Sequence, residues 1–162
     1  MTRFRANVLQ LISILMVIAL IVVISVSLSG TAVSSRPMDE VKPAVVSLFE
    51  NDNAQESTDR YFKKYYGLNA SDYENVVLYF PITNMDAEEL LIVKLKDTSQ
   101  ADTVKAACET RQQTQIGIYE GYAPEQLSLC ENAIIDVQGN YVLYVVHADA
   151  AQIDAAFRAS LK

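Results

Sequence analysis

The stretch AIIDVQGNYVLYVVH, residues 133–147, decides the fold of this chain. Two runs rich in Ile, Val and Tyr flank a central Gly-Asn pair, and glycine at the first central position is what a type II′ hairpin turn requires. A two-residue turn fixes the register, so we expect Val137 opposite Val142 and Ile135 opposite Tyr144. We expect the side of the hairpin that carries these four residues to face the core. Four side chains are expected to face the other way: Asp136, Gln138, Tyr141 and Leu143.

A second hairpin is predicted upstream, from NVVLYFPI at residues 75–82 and ELLIVKLK at residues 89–96. Apolar residues at helical spacing predict five helices, over residues 38–50, 58–66, 100–116, 124–133 and 150–161. Pro43 is tolerated best in a first helical turn, so we expect the first regular helix to start near Lys42. The polar residues 51–57 predict a loop. The fold class is therefore α+β, a four-stranded antiparallel sheet of two hairpins in ββα-ββα-like order, with helices packed on one face.

Residues 8–28 contain no charged residue and are long enough for a helix of about 31 Å, close to the hydrocarbon thickness of a bilayer. Arg3 and Arg5 precede this stretch, and the next basic residue is Arg36. The asymmetry predicts a single-pass transmembrane helix with a cytoplasmic N-terminus and the remainder extracytoplasmic. A signal peptide that is cleaved, giving a secreted domain, is the alternative, and both interpretations export the remainder.

The predicted organisation has three parts. Residues 1–30 form the cytoplasmic tip and the membrane anchor or signal, and residues 31–38 form a tether. Residues 39–162 form the extracytoplasmic α+β domain, which is long enough to bury a core of its own.

Charge is distributed unevenly along the chain. All twenty acidic residues and eleven of the thirteen basic residues lie beyond residue 30, which gives that part a net charge of −9. Phosphate polyanions are repelled by such a surface, so nucleic-acid binding is excluded. The sequence predicts no cofactor, and no clustered carboxylate loop or His/Cys group of metal-binding spacing is present.

Cys108 and Cys130 are the only cysteines. Both fall on the inward sides of consecutive predicted helices, and an even count in an exported domain permits a disulfide. The alternative is two small buried hydrophobic side chains that do not meet. Their spacing is not that of a C-x-x-C redox motif.

Arg111 lies on the apolar stripe of the long predicted helix, where an arginine needs a carboxylate partner. Glu125, Glu131 and Asp136 are the candidates for that partner. Aromatic and arginine side chains anchor many interfaces, so the predicted binding residues are those near the end of this helix: Arg111, Tyr119, Tyr122 and Pro124.

Several short motifs occur in a fixed order: YGL at residues 66–68, MDAEEL at 85–90, GYAPEQ at 121–126 and GNY at 139–141. With this set the chain resembles an uncharacterised family of exported, membrane-anchored or lipoprotein-type proteins of Gram-positive bacteria, over residues 40–160. The resemblance implies a compartment and a domain of unknown function, and it implies no catalytic residue. No cysteine comes directly after the apolar stretch, so the cysteine that accepts a lipid in lipoproteins is not present there.

Three functions are compatible with these features. The first is a non-catalytic binding or adaptor role at the cell envelope, with a protein or wall component as partner. The second is an envelope enzyme, which needs two carboxylates across one cleft. The third is a structural subunit of a membrane assembly. The acids considered for the enzyme are Glu88, Glu89, Glu120 and Glu125, and the lone His147 has no partner of metal-binding type nearby in sequence.

Overall fold

The computed structural model describes residue 16 and residues 33–49, 54–57 and 59–162. The chain divides into two units, Met1–Ala32 and Val33–Lys162, and every element described below belongs to the second. The predicted membrane helix over residues 8–28 lies outside the described residues, apart from Met16. Within the described residues, no helix combines the length and apolar character needed to cross a bilayer.

Five α-helices, two short 3₁₀ helices and five strands occur in the described residues of the domain, which confirms the α+β class. The helices are α1 (Met38–Phe49), α2 (Asp59–Tyr66), α3 (Ala101–Tyr119), α4 (Pro124–Glu131) and α5 (Ala150–Ser160). The strands are β1 (Ala54–Glu56), β2 (Asn75–Pro81), β3 (Glu89–Lys94), β4 (Ile134–Gln138) and β5 (Tyr141–Val146). They form one antiparallel sheet in the order β1-β2-β3-β5-β4.

The predicted four-stranded sheet is wrong, because strand β1 adds a fifth strand within the segment predicted as a loop. Its three residues pair with the end of β2, and Glu56 accepts hydrogen bonds from Lys42 Nζ at 2.6 Å and from Tyr79 Oη at 3.1 Å. A strand this short and polar shows no alternation of apolar residues, so periodicity cannot identify it.

The prediction that helices cover only one face of the sheet is also wrong. Helices α2, α3 and α4 pack on one face, and helices α1 and α5 pack on the other. Every residue of β3 and of β5 is buried, as expected for strands covered on both faces. Tyr141 and Leu143, predicted to face away from the core, are fully buried under α1 and α5.

The register of the β4–β5 hairpin is confirmed: Val137 pairs with Val142, and Ile135 pairs with Tyr144. The first helix begins at Met38, as the apolar spacing predicted, whereas the expectation that its regular part starts only near Lys42 is wrong, because Pro43 lies inside α1. Arg36 Nη1 bonds Glu40 Oε2 at 2.8 Å across the first turn.

The segment before α1 is attached to the domain at one end of the sheet. Ser34 is buried, its backbone N–H donates to Asn140 Oδ1 at 2.8 Å, and its hydroxyl donates to the Leu161 carbonyl at 2.8 Å. Asn140 belongs to the β4–β5 turn, next to the paired residues Lys94 and Tyr141. The chain therefore enters the domain at the end of the sheet where β3 finishes.

Candidate functional site

Helix α3 presents a row of polar and aromatic side chains to the sheet. Arg111, Gln115 and Tyr119 lie four residues apart on its inward face, and all three are buried. These positions continue the apolar stripe of the helix, so their polar groups are buried and need hydrogen-bond partners inside the domain.

Glu89, the first residue of β3, is the central partner. Its side chain is fully buried and accepts hydrogen bonds from Arg111 Nη2 at 2.6 Å and from Arg111 Nε at 3.1 Å. The Tyr65 ring covers the guanidinium, with 4.3 Å from Arg111 Cζ to the ring centroid. Bidentate pairing and ring stacking together fix the orientation of the arginine.

This pairing corrects one expectation. The partner of Arg111 is the fully buried Glu89 instead of Glu125, Glu131 or Asp136. The cause is the two-residue period of the strand, which turns Glu89 to the same face as Leu91, under α3. Asp136 lies on the opposite face of the sheet, where Arg158 Nε contacts it at 3.1 Å.

Further donors complete the network around Glu89. The Tyr66 hydroxyl donates to Glu89 Oε1, and Gln115 Nε2 donates to Glu89 Oε2 at 3.1 Å. The Tyr144 hydroxyl donates to Gln115 Oε1 at 2.6 Å. Each of these polar side chains therefore has a partner inside the domain, and the network links β3, β5, α2 and α3.

The network also sets which groups carry protons. Burial lowers the pKa of Arg111, but the Glu89 carboxylate outweighs burial and the net effect raises that pKa. Burial and the charge of Glu89 raise the pKa of Tyr66 and of Tyr144. Burial raises the pKa of Tyr119 to about 12. Near neutral pH, Arg111 is thus a cation and the three phenols are neutral hydrogen-bond donors.

A cavity of about 280 Å³ opens over Arg111, between the end of α3, residue 65 of α2 and the connection between β2 and β3. We call it the Arg111 cavity. Its apolar and aromatic lining consists of Tyr65, Phe80, Pro81, Ile118, Tyr119 and Tyr122. Its polar lining consists of Thr83, Asn84, Asp86, Arg111 and Gln115. The Tyr119 hydroxyl donates to the Asp86 carbonyl at 2.6 Å and holds the connection against the helix.

Exposed apolar side chains occur on two of the segments that line this cavity. Ile82 and Met85 are 56% and 71% exposed on the connection between β2 and β3, while Ile118 and Tyr122 are 46% and 59% exposed at the end of α3. Elsewhere in residues 33–162, the large apolar side chains that remain exposed among the described residues are Val33 and Leu48. Exposed apolar groups are thus concentrated at one place on the domain.

Three of the four predicted binding residues, Arg111, Tyr119 and Tyr122, line the same cavity. Pro124 lies apart from them, at a second cavity formed by residues 123–126 at the start of α4. Gln115 could have been found from sequence, because it continues the four-residue spacing from Arg111. Asp86 and Asn84 carry no such signal, since they lie in an irregular connection.

The four acids considered for an enzyme do not line the Arg111 cavity. Glu89 is engaged by Arg111, Glu88 lies 3.7 Å from His147, and Glu125 belongs to the second cavity. His147 packs against Phe49, and its Nδ1 accepts the Asp149 backbone N–H at 2.9 Å. Within the described part of the chain, no three His, Cys, Asp or Glu side chains are grouped to hold a metal ion.

Cys108 on α3 and Cys130 on α4 are free, buried thiols that belong to the same core cluster. Burial, reinforced by Glu89, raises the pKa of Cys108, and burial raises the pKa of Cys130 from an ordinary 9.0 to about 11. Only the thiolate is a nucleophile, so both side chains are expected to be inert in the folded state.

Iodoacetamide labelling of the native protein near neutral pH should therefore modify neither cysteine over a period in which an exposed thiol reacts fully. The raised pKa of Cys130 alone makes its thiolate about 100-fold rarer, and burial slows the reaction further. Mass spectrometry after labelling measures this. The control is labelling in denaturant without reductant, which should modify both thiols; no modification there would show the alternative, a disulfide.

Comparison with known proteins identifies a family for this chain. No curated protein and no solved structure matches the chain. A family model matches residues 48–147, more than half of the chain, and that range contains all five strands and every residue of the Arg111 cavity. The chain therefore belongs to the family described as Domain of unknown function (DUF4358).

Proposed function

We propose that this chain is an exported, non-catalytic adaptor domain of the Gram-positive cell envelope, and that it binds a partner protein at the Arg111 cavity. Export is supported by the uncharged stretch at residues 8–28, which follows Arg3 and Arg5. A location in the cell envelope is supported by the ordered set of family motifs. The observation that carries the binding role is a cavity over a buried arginine, lined in part by the exposed side chains of Ile118 and Tyr122, with the exposed Ile82 and Met85 on a connection that also contributes to the lining.

The composition of this surface is that of a protein interface. Aromatic, Met and Arg side chains are enriched in interfaces, and residues that dominate binding energy lie around desolvated pockets. The Glu89 pair, the Tyr65 ring and the Tyr119 hydrogen bond hold the lining in place before a partner arrives. Preorganisation of this kind reduces the entropy lost on binding.

The position of the cavity within the domain supports the same role. Glu89 starts β3 beside the cavity, while Lys94 ends β3 beside the turn to which Ser34 is attached. A strand of this length separates its two ends by about 17 Å. Within the domain, the cavity therefore lies at the end of the sheet away from Ser34.

The test is photo-crosslinking in the native cell with the full chain, carrying p-benzoylphenylalanine at position 122 or, as a control, at exposed position 48. The expected result is a discrete protein adduct at position 122 that is absent at position 48. Ile118→Asp should abolish the adduct, whereas Gln113→Asp, at an exposed position on the same helix, should not. Equal adducts at both positions, or an adduct indifferent to Ile118→Asp, would contradict the proposal.

A further inference from the structure

We infer that Asp136 and Asp154 share one proton, and that this carboxyl pair is a pH-sensitive contact that holds helix α5 against the edge strand β4. The inference is independent of the proposed function, because the pair lies on the face of the sheet opposite to Glu89 and the Arg111 cavity. It follows from the contacts of the two carboxyl groups, from their burial and from the charges around them.

A single arginine nitrogen contacts both carboxyl groups. Arg158 Nε lies 3.1 Å from Asp136 Oδ2 and 3.1 Å from Asp154 Oδ2. The arginine side chain is 52% exposed, whereas the side chains of Asp136 and Asp154 are only 11% and 14% exposed. One solvated cation thus faces two carboxyl groups in a poorly solvated place. Two carboxylates held in this way repel each other, which favours a state in which one of them is protonated.

The hydrogen bonds of the two groups show which one holds the proton. Gln138 Nε2 donates to both oxygens of Asp136, at 2.9 Å each. Oδ1 of Asp154 is buried and has no hydrogen-bond partner among the described residues. A buried carboxylate oxygen without a donor is costly, whereas a protonated carboxyl group can donate to a neighbouring carboxylate. The proton therefore belongs on Asp154, and the negative charge on Asp136.

The elements packed around the pair supply no other compensating charge. Strand β4 has no charged residue besides Asp136, α5 has none besides Asp154 and Arg158, and β5 has none. Helix α1 is the other helix on this face, and its charged residues occupy exposed or half-buried positions: Asp39, Glu40 and Lys42. The charged groups that act on Asp154 are therefore Asp136 and Arg158.

The effect of pH on stability has a definite sign. Burial, then the hydrogen bond with Asp136 and the charge of Asp136, raise the pKa of Asp154 above its ordinary value of 3.8, although Arg158 opposes the rise. A carboxyl group with a raised pKa in the folded state stabilises the fold fully below its ordinary pKa, and this contribution is lost as pH rises through the folded-state pKa. Release of the proton to solvent leaves two facing carboxylates and weakens the contact between α5 and β4.

The residues after α5 also hold the segment that precedes α1. The Ser34 hydroxyl donates to the Leu161 carbonyl at 2.8 Å, and Arg36 Nε donates to the Lys162 carbonyl at 2.8 Å. Leu161 follows Arg158 by less than one helical turn. The proton on Asp154 therefore controls how firmly α5, and with it residues 34–36, is held on the sheet.

The test compares urea unfolding of the full chain and of its Asp154→Asn variant from about pH 4 to about pH 8. Asparagine has the shape of the protonated acid, and it can donate to Asp136 at any pH. At the upper end of this range the variant should be more stable than the wild type, with an unfolding equilibrium constant about threefold smaller or less. This difference should shrink as the pH is lowered, because the wild-type pair then takes up its proton.

Two further variants make the result specific to the pair. Glu109→Gln removes a carboxylate from an exposed position on α3 and should leave the pH dependence unchanged. In an Asp136→Asn background, Asp154 faces no second carboxylate, so adding Asp154→Asn should have a much smaller pH-dependent effect. Stability curves of the wild type and Asp154→Asn that run parallel with pH would overturn the inference. A variant less stable than the wild type at about pH 8 would do the same.

Hydrogen exchange locates the effect within the domain. At about pH 8, the backbone amides of α5 should be better protected in Asp154→Asn than in the wild type, and the gain should exceed that of the amides of α3. A gain of equal size in both helices would contradict the inference that the pair holds α5.

Discussion

Glu89→Ala is expected to lower the free energy of unfolding by about 3–5 kcal/mol, because it leaves the Arg111 guanidinium buried without its counter-charge. The same change removes the acceptor of the Tyr66 hydroxyl and of Gln115 Nε2. Domains of this size have a total stability of about 5–15 kcal/mol, so a loss of this size brings the protein close to unfolding. Urea unfolding of the full chain, followed by far-ultraviolet circular dichroism, measures it.

The control for this prediction is Glu109→Ala. Glu109 is paired with Lys105 at 3.7 Å on the exposed side of α3, the helix that carries Arg111, and both side chains are at least half exposed. That pair should contribute about 0.5 kcal/mol or less. A second control is the Glu89→Ala/Arg111→Ala double variant, which removes both charges and should lose less than the sum of the single variants. A Glu89→Ala effect no larger than that of Glu109→Ala would show that the buried pair is not formed.

Leu143→Ala is expected to destabilise the domain by about 2–5 kcal/mol. Leu143 is fully buried on the face of β5 that α1 and α5 cover, in contact with a core cluster that includes Val45 and Ile153. Removing its side chain leaves a cavity that the surrounding helices cannot fill completely. If only one face of the sheet were covered, this side chain would be exposed and the substitution would have little effect.

Leu48→Ala is the matched control, because Leu48 lies on α1 but is 43% exposed. Its replacement should change the free energy of unfolding by about 0.5 kcal/mol or less. The same urea titration compares the two variants. Similar small effects at positions 48 and 143 would contradict the three-layer arrangement of helices, sheet and helices.

Elements with strong periodicity or a specific turn could be predicted from local sequence. The Gly139-Asn140 turn set the hairpin register, and Gly67, with a φ of 71°, ends α2 as a glycine in the left-handed region does. Strand β1 could not be predicted, since Ala54, Gln55 and Glu56 become a strand only by pairing with the end of β2.

In the candidate site too, some residues could be predicted from local sequence and others could not. Arg111 and Tyr119 could be selected from sequence because helical spacing places them on one side of α3, and Tyr122 because it follows the end of that helix closely. The partner Glu89 could not be selected from sequence. The direction of its side chain depends on which face of the sheet the first residue of β3 points to, and its partner depends on which helix covers that face. Asp86 and Asn84 reach the cavity through an irregular connection whose path depends on contacts such as the Tyr119 hydrogen bond.

Sequence by itself determined the α+β class, the helices, four of the strands and the family, because these depend on spacing and motifs within short stretches. Tertiary structure alone decided that both faces of the sheet are covered, that Glu89 is the counter-charge of Arg111, and that Arg111, Tyr119 and Tyr122 line one cavity together with residues of the connection between β2 and β3. Those features arise from contacts between segments far apart in the chain, and the physical preferences of a single segment do not specify which distant segment will cover it.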